Sequence, residues 1–415
     1  MGIKILKENQ HMLRITRFVL MNLLCFTCVA AFAQLDTTMS LKSAKDAGAI
    51  KLYKVGIFAP LYLDSVFAKG SYRYGKNFPR FAHQALDFVQ GAQIALDSLR
   101  LPGNQIQVRF YDTKAYNNPV SNLIKAGQLD SLDLMIGAIK DQEFIDLAYF
   151  SKRKNIPFIS ATHPNDGGMT ANPFMIVANP TLRAHCEAIY ANLLVYNGTD
   201  KLYLVRKPGG SEDIVASYFK EINTPDGKPL LNLEVVNIVN DDFTVLTNKL
   251  DSNRNSVVIG GSLNEKFAAG LAEHLSAISG TYAVKLLGMP NWDGFKTLRK
   301  NKKLTDFAVY FTTPYFNNKW DEHSDKIKKV YLDKYKGVPS DMSYKGYEFT
   351  LRFVRLLTAY QRNMLSHLND SREKIFTDFF FKPIFISASA TVPDYFENKK
   401  LYFIKIENGE FSKAW

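Results

Sequence analysis

The chain has 415 residues, 46% of them hydrophobic and 13% aromatic, enough to bury a substantial core and, by length, to form two or three domains. Its net charge of +12 is scattered, and the local clusters at 298–303 and 326–336 are not interleaved with aromatics in the manner of a single-strand-binding surface, which argues against a nucleic-acid partner. Beyond the N-terminal 33 residues no stretch is apolar and long enough to span a membrane, so the protein is not itself expected to be membrane-spanning.

Arg14 and Arg17 precede an apolar run, 18–33, that ends in Ala31-Phe32-Ala33. A basic segment, an apolar core and an A-x-A site make residues 1–33 a cleaved signal peptide, with translation starting at Met1 or Met12. A membrane anchor is the alternative, but about 16 apolar residues fall short of the roughly 20 that a span needs. The residues ahead of Cys25 and Cys28 lack the small side chain of a lipoprotein signal. Cleavage therefore predicts an exported, periplasmic protein, lowers the net charge to about +9, and leaves Cys186 as a lone packing thiol with no internal disulfide.

Residues 34–50 are small and polar, a flexible tether. From there the pattern alternates. A strand at 53–59 is followed by a long loop rich in aromatics and carrying Gly70, Gly75 and Pro79. A helix at 85–99, a strand at 106–111, a helix from Pro119 to 129, a strand at 132–136 and a helix at 142–154 come next. The stretch IPFISATHPNDGGMTANPFMIVANP, 156–180, ends one strand at Ser160-Ala161-Thr162, turns through Pro164–Gly168 and starts another strand at 174–177. Open α/β sheets bind ligands at the carboxyl ends of their strands, where Ser160 and Thr162 are placed to donate hydrogen bonds.

A second series follows Pro180, with helices at 182–196, 212–222, 243–250 and 264–278 and strands at 201–206, 231–239, 256–259, 284–287 and 307–311. Two helices, 325–335 and 344–363, and a strand at 401–406 before the turn Asn408-Gly409 complete the chain. Strands alternating with helices indicate parallel sheets, and two such series joined near Pro180 indicate two α/β lobes of Rossmann-like type.

Motifs of catalysis are not found. The sequence has no phosphate-binding glycine loop, no G-x-S-x-G elbow, no H-E-x-x-H and no tight Cys/His spacing, so neither a metal nor a cofactor is predicted and no catalytic residue is nominated.

Six phrases, in order, are YKVGIFAPLYLD (53–64), FVQGAQIALDSL (88–99), LMIGAIKDQE (134–143), IPFISAT (156–162), NSVVIGGSL (255–263) and YKGYEFTLRFVRLL (344–357). Together they resemble the type I periplasmic binding proteins, the branched-chain amino acid and amide-type substrate-binding components of ABC transporters. The resemblance implies two lobes, linked by crossing hinge strands and closing on a ligand. Lobe 1 would comprise 51–180 with 314–390, and lobe 2 would comprise 181–313 with 391–415.

It also implies a binding site for a small polar ligand. In the first lobe this falls on Tyr62, on Ala138, Ile139, Lys140 and Gln142, and on Ser160, Ala161 and Thr162. Lys140 stands where amino-acid binders offer hydroxyls, either as a charge partner or as a solvated side chain. The second lobe would offer Arg206, Ser262 and Trp292, without a clear acidic partner for an α-amino group. The function so implied is non-catalytic solute binding for ABC-type uptake, with a permease as partner. The alternative is a cell-envelope interaction module with a repurposed cleft and an envelope protein as partner. A secreted hydrolase is the third reading, with no nucleophile–base pair to support it.

Overall fold

A computed structural model describes residues 51–99 and 104–415. The expected signal peptide (1–33) and tether (34–50) lie outside the described residues. Among the described residues no helix is long and apolar enough to cross a membrane.

Two seven-stranded sheets carry the fold. The first is ordered β13-β14-β7-β6-β5-β1-β4, from β1 (Lys51–Ala59), β4 (Asn104–Asp112), β5 (Leu134–Gly137), β6 (Phe158–Ser160), β7 (Met175–Val177), β13 (Phe381–Ile384) and β14 (Tyr395–Asn398). Its centre is parallel, with Ile136 beside Ile159 and Ile159 beside Ile176. Every residue of β5, β6 and β7 is buried, as expected of parallel strands covered on both faces. One face packs Ile57, Ile136, Ile159 and Ile176 against Phe349, Phe353 and Leu357. The other packs Phe58, Met135, Phe158 and Met175 against Phe144 and Leu147.

The second sheet is ordered β16-β15-β12-β11-β10-β8-β9, from β8 (Lys201–Arg206), β9 (Leu233–Asn237), β10 (Ser256–Gly260), β11 (Val284–Leu287), β12 (Val309–Thr313), β15 (Tyr402–Glu407) and β16 (Glu410–Lys413). It is parallel from β9 to β12 and antiparallel in the β12–β15–β16 edge. The β15–β16 turn is Asn408-Gly409 with both residues at positive φ, the backbone twist that a two-residue hairpin needs. A small hairpin, β2 (Phe67–Ala68) with β3 (Ser71–Tyr72), forms within the long loop after β1.

The two-lobe α/β architecture read from the sequence is therefore present. Three strands at the edges, β13, β14 and β16, were not anticipated. β13 contains Pro383 and β14 is four residues long, so neither carries a strand signal. β14 pairs with β7, so the chain leaves the first sheet only after Asn398, and not at the expected 391.

The helix Asp341–Tyr360 buries thirteen of its residues and lies along the helix Arg80–Ser98. The two meet backbone to backbone. A Cβ on Gly91 would fall 1.8 Å from the Ser343 carbonyl oxygen, and one on Gly346 would fall 2.0 Å from that of Phe88. Any larger residue at either position forces the helices apart.

Candidate functional site

The carboxyl ends of the first lobe's strands sit side by side. Ala138 N–H donates to the Phe58 carbonyl at 2.9 Å, Ala161 N–H to Gly137 at 2.9 Å, and Ala178 N–H to Ser160 at 3.0 Å. Side chains alternate along a strand, so neighbours point to opposite faces. Ala161 accordingly joins Ile159 in the core beside Phe349, while Ser160 shares the opposite side with Phe158. Ser160 is fully buried and its Oγ has no hydrogen-bond partner. The Thr162 carbonyl accepts from Asn179 Nδ2 at 2.7 Å, tying two adjacent strand ends together.

The loop after β5 divides. Ala138 and Ile139 are buried, whereas the Lys140 side chain is 71% exposed, with Asp141 at 3.9 Å. Gln142 is exposed and donates to Asp146 within its own helix. His163 packs edge-on to Phe144, and burial, with Lys140 nearby, lowers its pKa against the pull of Asp141. Tyr62 adopts a left-handed backbone and packs its ring against Phe81. What holds it there is Asp112, whose carboxylate accepts from the amides of Leu61, Tyr62, Leu63 and Lys114 at 2.7–3.0 Å. Asp112 ends β4, and only the fold reveals its role.

Of the first-lobe candidates, only Ala161 lines the cavity that forms beside the lobe crossings. It does so with Ala178, Asn179, Pro314, Tyr315, Lys345, Phe349 and Phe379 around about 10 Å³. Tyr315 also lines a much larger groove of about 710 Å³, whose other walls include Asp293, Trp320, Asp341 and Phe411. Lys345, Phe349 and Phe379 were missed by sequence reasoning. The helix Asp341–Tyr360 carries charged residues among its apolar ones, so its local sequence does not single out Lys345.

The second lobe's candidates are already partnered. Arg206 pairs with Asp213 and donates to Asn237. Ser262 is fully buried and donates to Glu212 at 2.6 Å. Trp292, proposed as a stacking surface, is 0% exposed and donates its indole N–H to the Ser262 carbonyl at 2.8 Å. Its ring fills a slot that glycines leave open: a Cβ on Gly260 or Gly288 would fall 2.4 or 2.2 Å from it. The Gly260-Gly261-Ser262 phrase thus serves the core.

A family model described as periplasmic binding protein matches residues 80–390. The chain belongs to the type I periplasmic binding protein family. Among curated proteins, none matches the sequence. Solved structures share the fold at low identity. A branched-chain amino acid ABC transporter periplasmic ligand-binding protein of Burkholderia xenovorans aligns with a TM-score of 0.55 at 12% identity, over 88% of this chain and 92% of that one. An ABC transporter substrate-binding protein of Desulfitobacterium hafniense aligns with a TM-score of 0.54 at 11% identity, over 88% of this chain and all of that one.

In this binding protein the chain passes between the sheets three times, at 178–181, after Thr313 and at 399–401. The first and third crossings are bonded together. Thr181 N–H donates to Glu397 Oε1 at 2.7 Å, and Asn398 Nδ2 donates to the Ala178 carbonyl at 3.3 Å. Lys399 pairs with Glu397 at 2.5 Å and Glu187 at 2.9 Å. Burial would depress its pKa, but those two carboxylates hold it above that of an ordinary lysine. The free cysteine, Cys186, is fully buried, and burial pushes its thiol up to about 12, so it stays protonated.

Proposed function

We propose that this protein is an exported, non-catalytic solute-binding protein that closes two lobes on a small polar ligand and presents it to an ABC-type permease. The observation that carries this reading is the pair of largely parallel sheets joined by three crossings, together with the family match over 80–390. Crossings of this kind are hinges, and closure around them buries a ligand and excludes water. The signal peptide expected at residues 1–33 supports delivery to the periplasm. Amino acids, amides and short peptides are the ligand classes to test.

A thermal-shift screen of the purified chain against those compounds, nucleosides and muropeptide fragments tests the reading. A ligand that binds only the folded state adds about 2.7 kcal/mol at a hundredfold excess over its Kd, and raises Tm. Silence from a cooperatively melting protein favours the alternative, an envelope interaction module with a repurposed cleft. One observation already leans that way: the cavity at Ala161 has a volume of only about 10 Å³, near the minimum for one water.

A further inference from the structure

The hairpin in the long loop after β1 is a surface that the solute-binding reading does not use. Every residue from 67 to 77 is exposed, and the stretch carries a row of rings. Phe67, Tyr72, Tyr74 and Phe81 are 37–50% exposed, with successive centroids 5.8, 6.2 and 6.0 Å apart. Tyr62, 5.1 Å from Phe81, joins the row to the body of the lobe. A contiguous exposed patch of this kind marks an interaction surface.

Cations run through the same stretch. Lys69, Arg73, Lys76 and Arg80 are all exposed, and the sequence has no Asp or Glu between Asp64 and Asp87. Among the described residues none of the four has a carboxylate within salt-bridge distance, in a chain where lysines elsewhere find one repeatedly. The nearest acid in sequence, Asp64, accepts from Tyr116 N–H at 2.8 Å. The hairpin is also held in shape. Its turn, Lys69-Gly70, has both residues at positive φ, and Val66 at its foot is buried. Arg73 N–H donates to the Val66 carbonyl at 3.0 Å, and the Tyr72 hydroxyl donates to that of Asn77 at 2.7 Å. Rings and charges are thus in place before a partner arrives, which lowers the ordering cost of binding.

We infer that this hairpin is a docking surface for an acidic polysaccharide of the polyuronate type, in which each sugar carries one carboxylate. A sugar presents a face of C–H groups to the negative face of an aromatic ring, and its carboxylate takes a Lys or Arg. Four cations among five rings match a polymer with a charge on every unit. Other anionic partners fit less well. A bilayer calls for apolar residues at the tip, but the tip is Lys69-Gly70, and successive rings are turned 56–77° from one another and share no plane. An acidic peptide added as a strand needs a sheet edge, and β2 and β3 have two residues each. Single-stranded nucleic acid stacks on rings of this kind, but the signal peptide expected at residues 1–33 takes the protein away from it.

The test is calorimetric titration of the purified chain with polygalacturonate, its neutral methyl ester, polyglutamate, oligothymidylate and phosphatidylglycerol vesicles. Polygalacturonate is expected to bind, and to bind more weakly as salt is raised. The methyl ester, which lacks the charge, and polyglutamate, which lacks the sugar, should each be weaker by about tenfold or more. Two variants, Lys69→Gln with Arg73→Gln and Lys76→Gln, and Phe67→Ser with Tyr74→Ser, should each lose about tenfold or more of the polygalacturonate affinity. All these side chains are exposed, so the Tm should hold, which shows that the variants fold. No binding of polygalacturonate, equal binding of either control polymer, or full affinity in either folded variant overturns the inference. Tighter binding of oligothymidylate or of the vesicles overturns it as well and reassigns the surface. None of these results bears on solute binding in the cleft, because the variants spare Tyr62 and every other residue of the candidate site.

Discussion

The two lobes treat their polar groups at the strand ends in opposite ways. In the second lobe Ser262 donates to Glu212, Trp292 to the Ser262 carbonyl, and Arg206 to Asp213. In the first lobe Ser160 Oγ is buried without a partner. A buried polar group left unpaired costs about 1–3 kcal/mol, so a fold keeps such a group only where something else is gained. The second lobe has spent its polar groups on its own stability.

Substitutions sharpen this contrast, the largest effect first. Trp292→Ala should cost about 3–5 kcal/mol in chemical denaturation, because the glycine-lined slot cannot collapse around the void. A ligand-stacking tryptophan would instead lose affinity with unchanged stability, and that outcome would dissolve the distinction between the lobes.

Acid comes next. His185 is fully buried with its Nδ1 2.7 Å from the Thr312 hydroxyl, and burial lowers its pKa from 6.5 to about 3, with Lys399 adding to the effect. Its folded pKa is depressed, so below pH 6.5 the unfolded chain takes up a proton that the folded chain refuses, and stability falls as pH falls. Between pH 6.5 and 5 this amounts to about 2 kcal/mol, measurable as a falling urea midpoint. His185→Asn should flatten that dependence.

Ser160→Ala should be neutral or stabilising by up to about 1 kcal/mol, since an unpaired buried hydroxyl is removed. Ligand affinity, once a ligand is in hand, should fall in Ser160→Ala combined with Thr162→Ala; unchanged affinity in a stable double variant would remove those residues from the site. Lys140→Ala should change stability by less than about 0.5 kcal/mol, its side chain being mostly in solvent.

Much of the fold was legible because its signals are local. The helix at 182–196 and the strands at 201–206 and 284–287 are found at the residues that hydrophobic periodicity and flanking turns mark. The site was less legible because its determinants are distant in sequence. Gly260, in the phrase NSVVIGGSL, looks like a ligand-loop glycine until the Trp292 ring is seen against it. Asp112 is an unremarked strand end until four amides converge on it. In each case the meaning of a residue is set by what its neighbours already do.

The backbone-to-backbone approach of the two helices, Gly91 against Ser343 and Gly346 against Phe88, has a practical consequence. Two helices touching through their backbones leave no slack for side-chain repacking to shift them, so the wall that carries Lys345 and Phe349 is a fixed datum. Side chains elsewhere on that wall can therefore be exchanged to change its chemistry without moving its place in the fold.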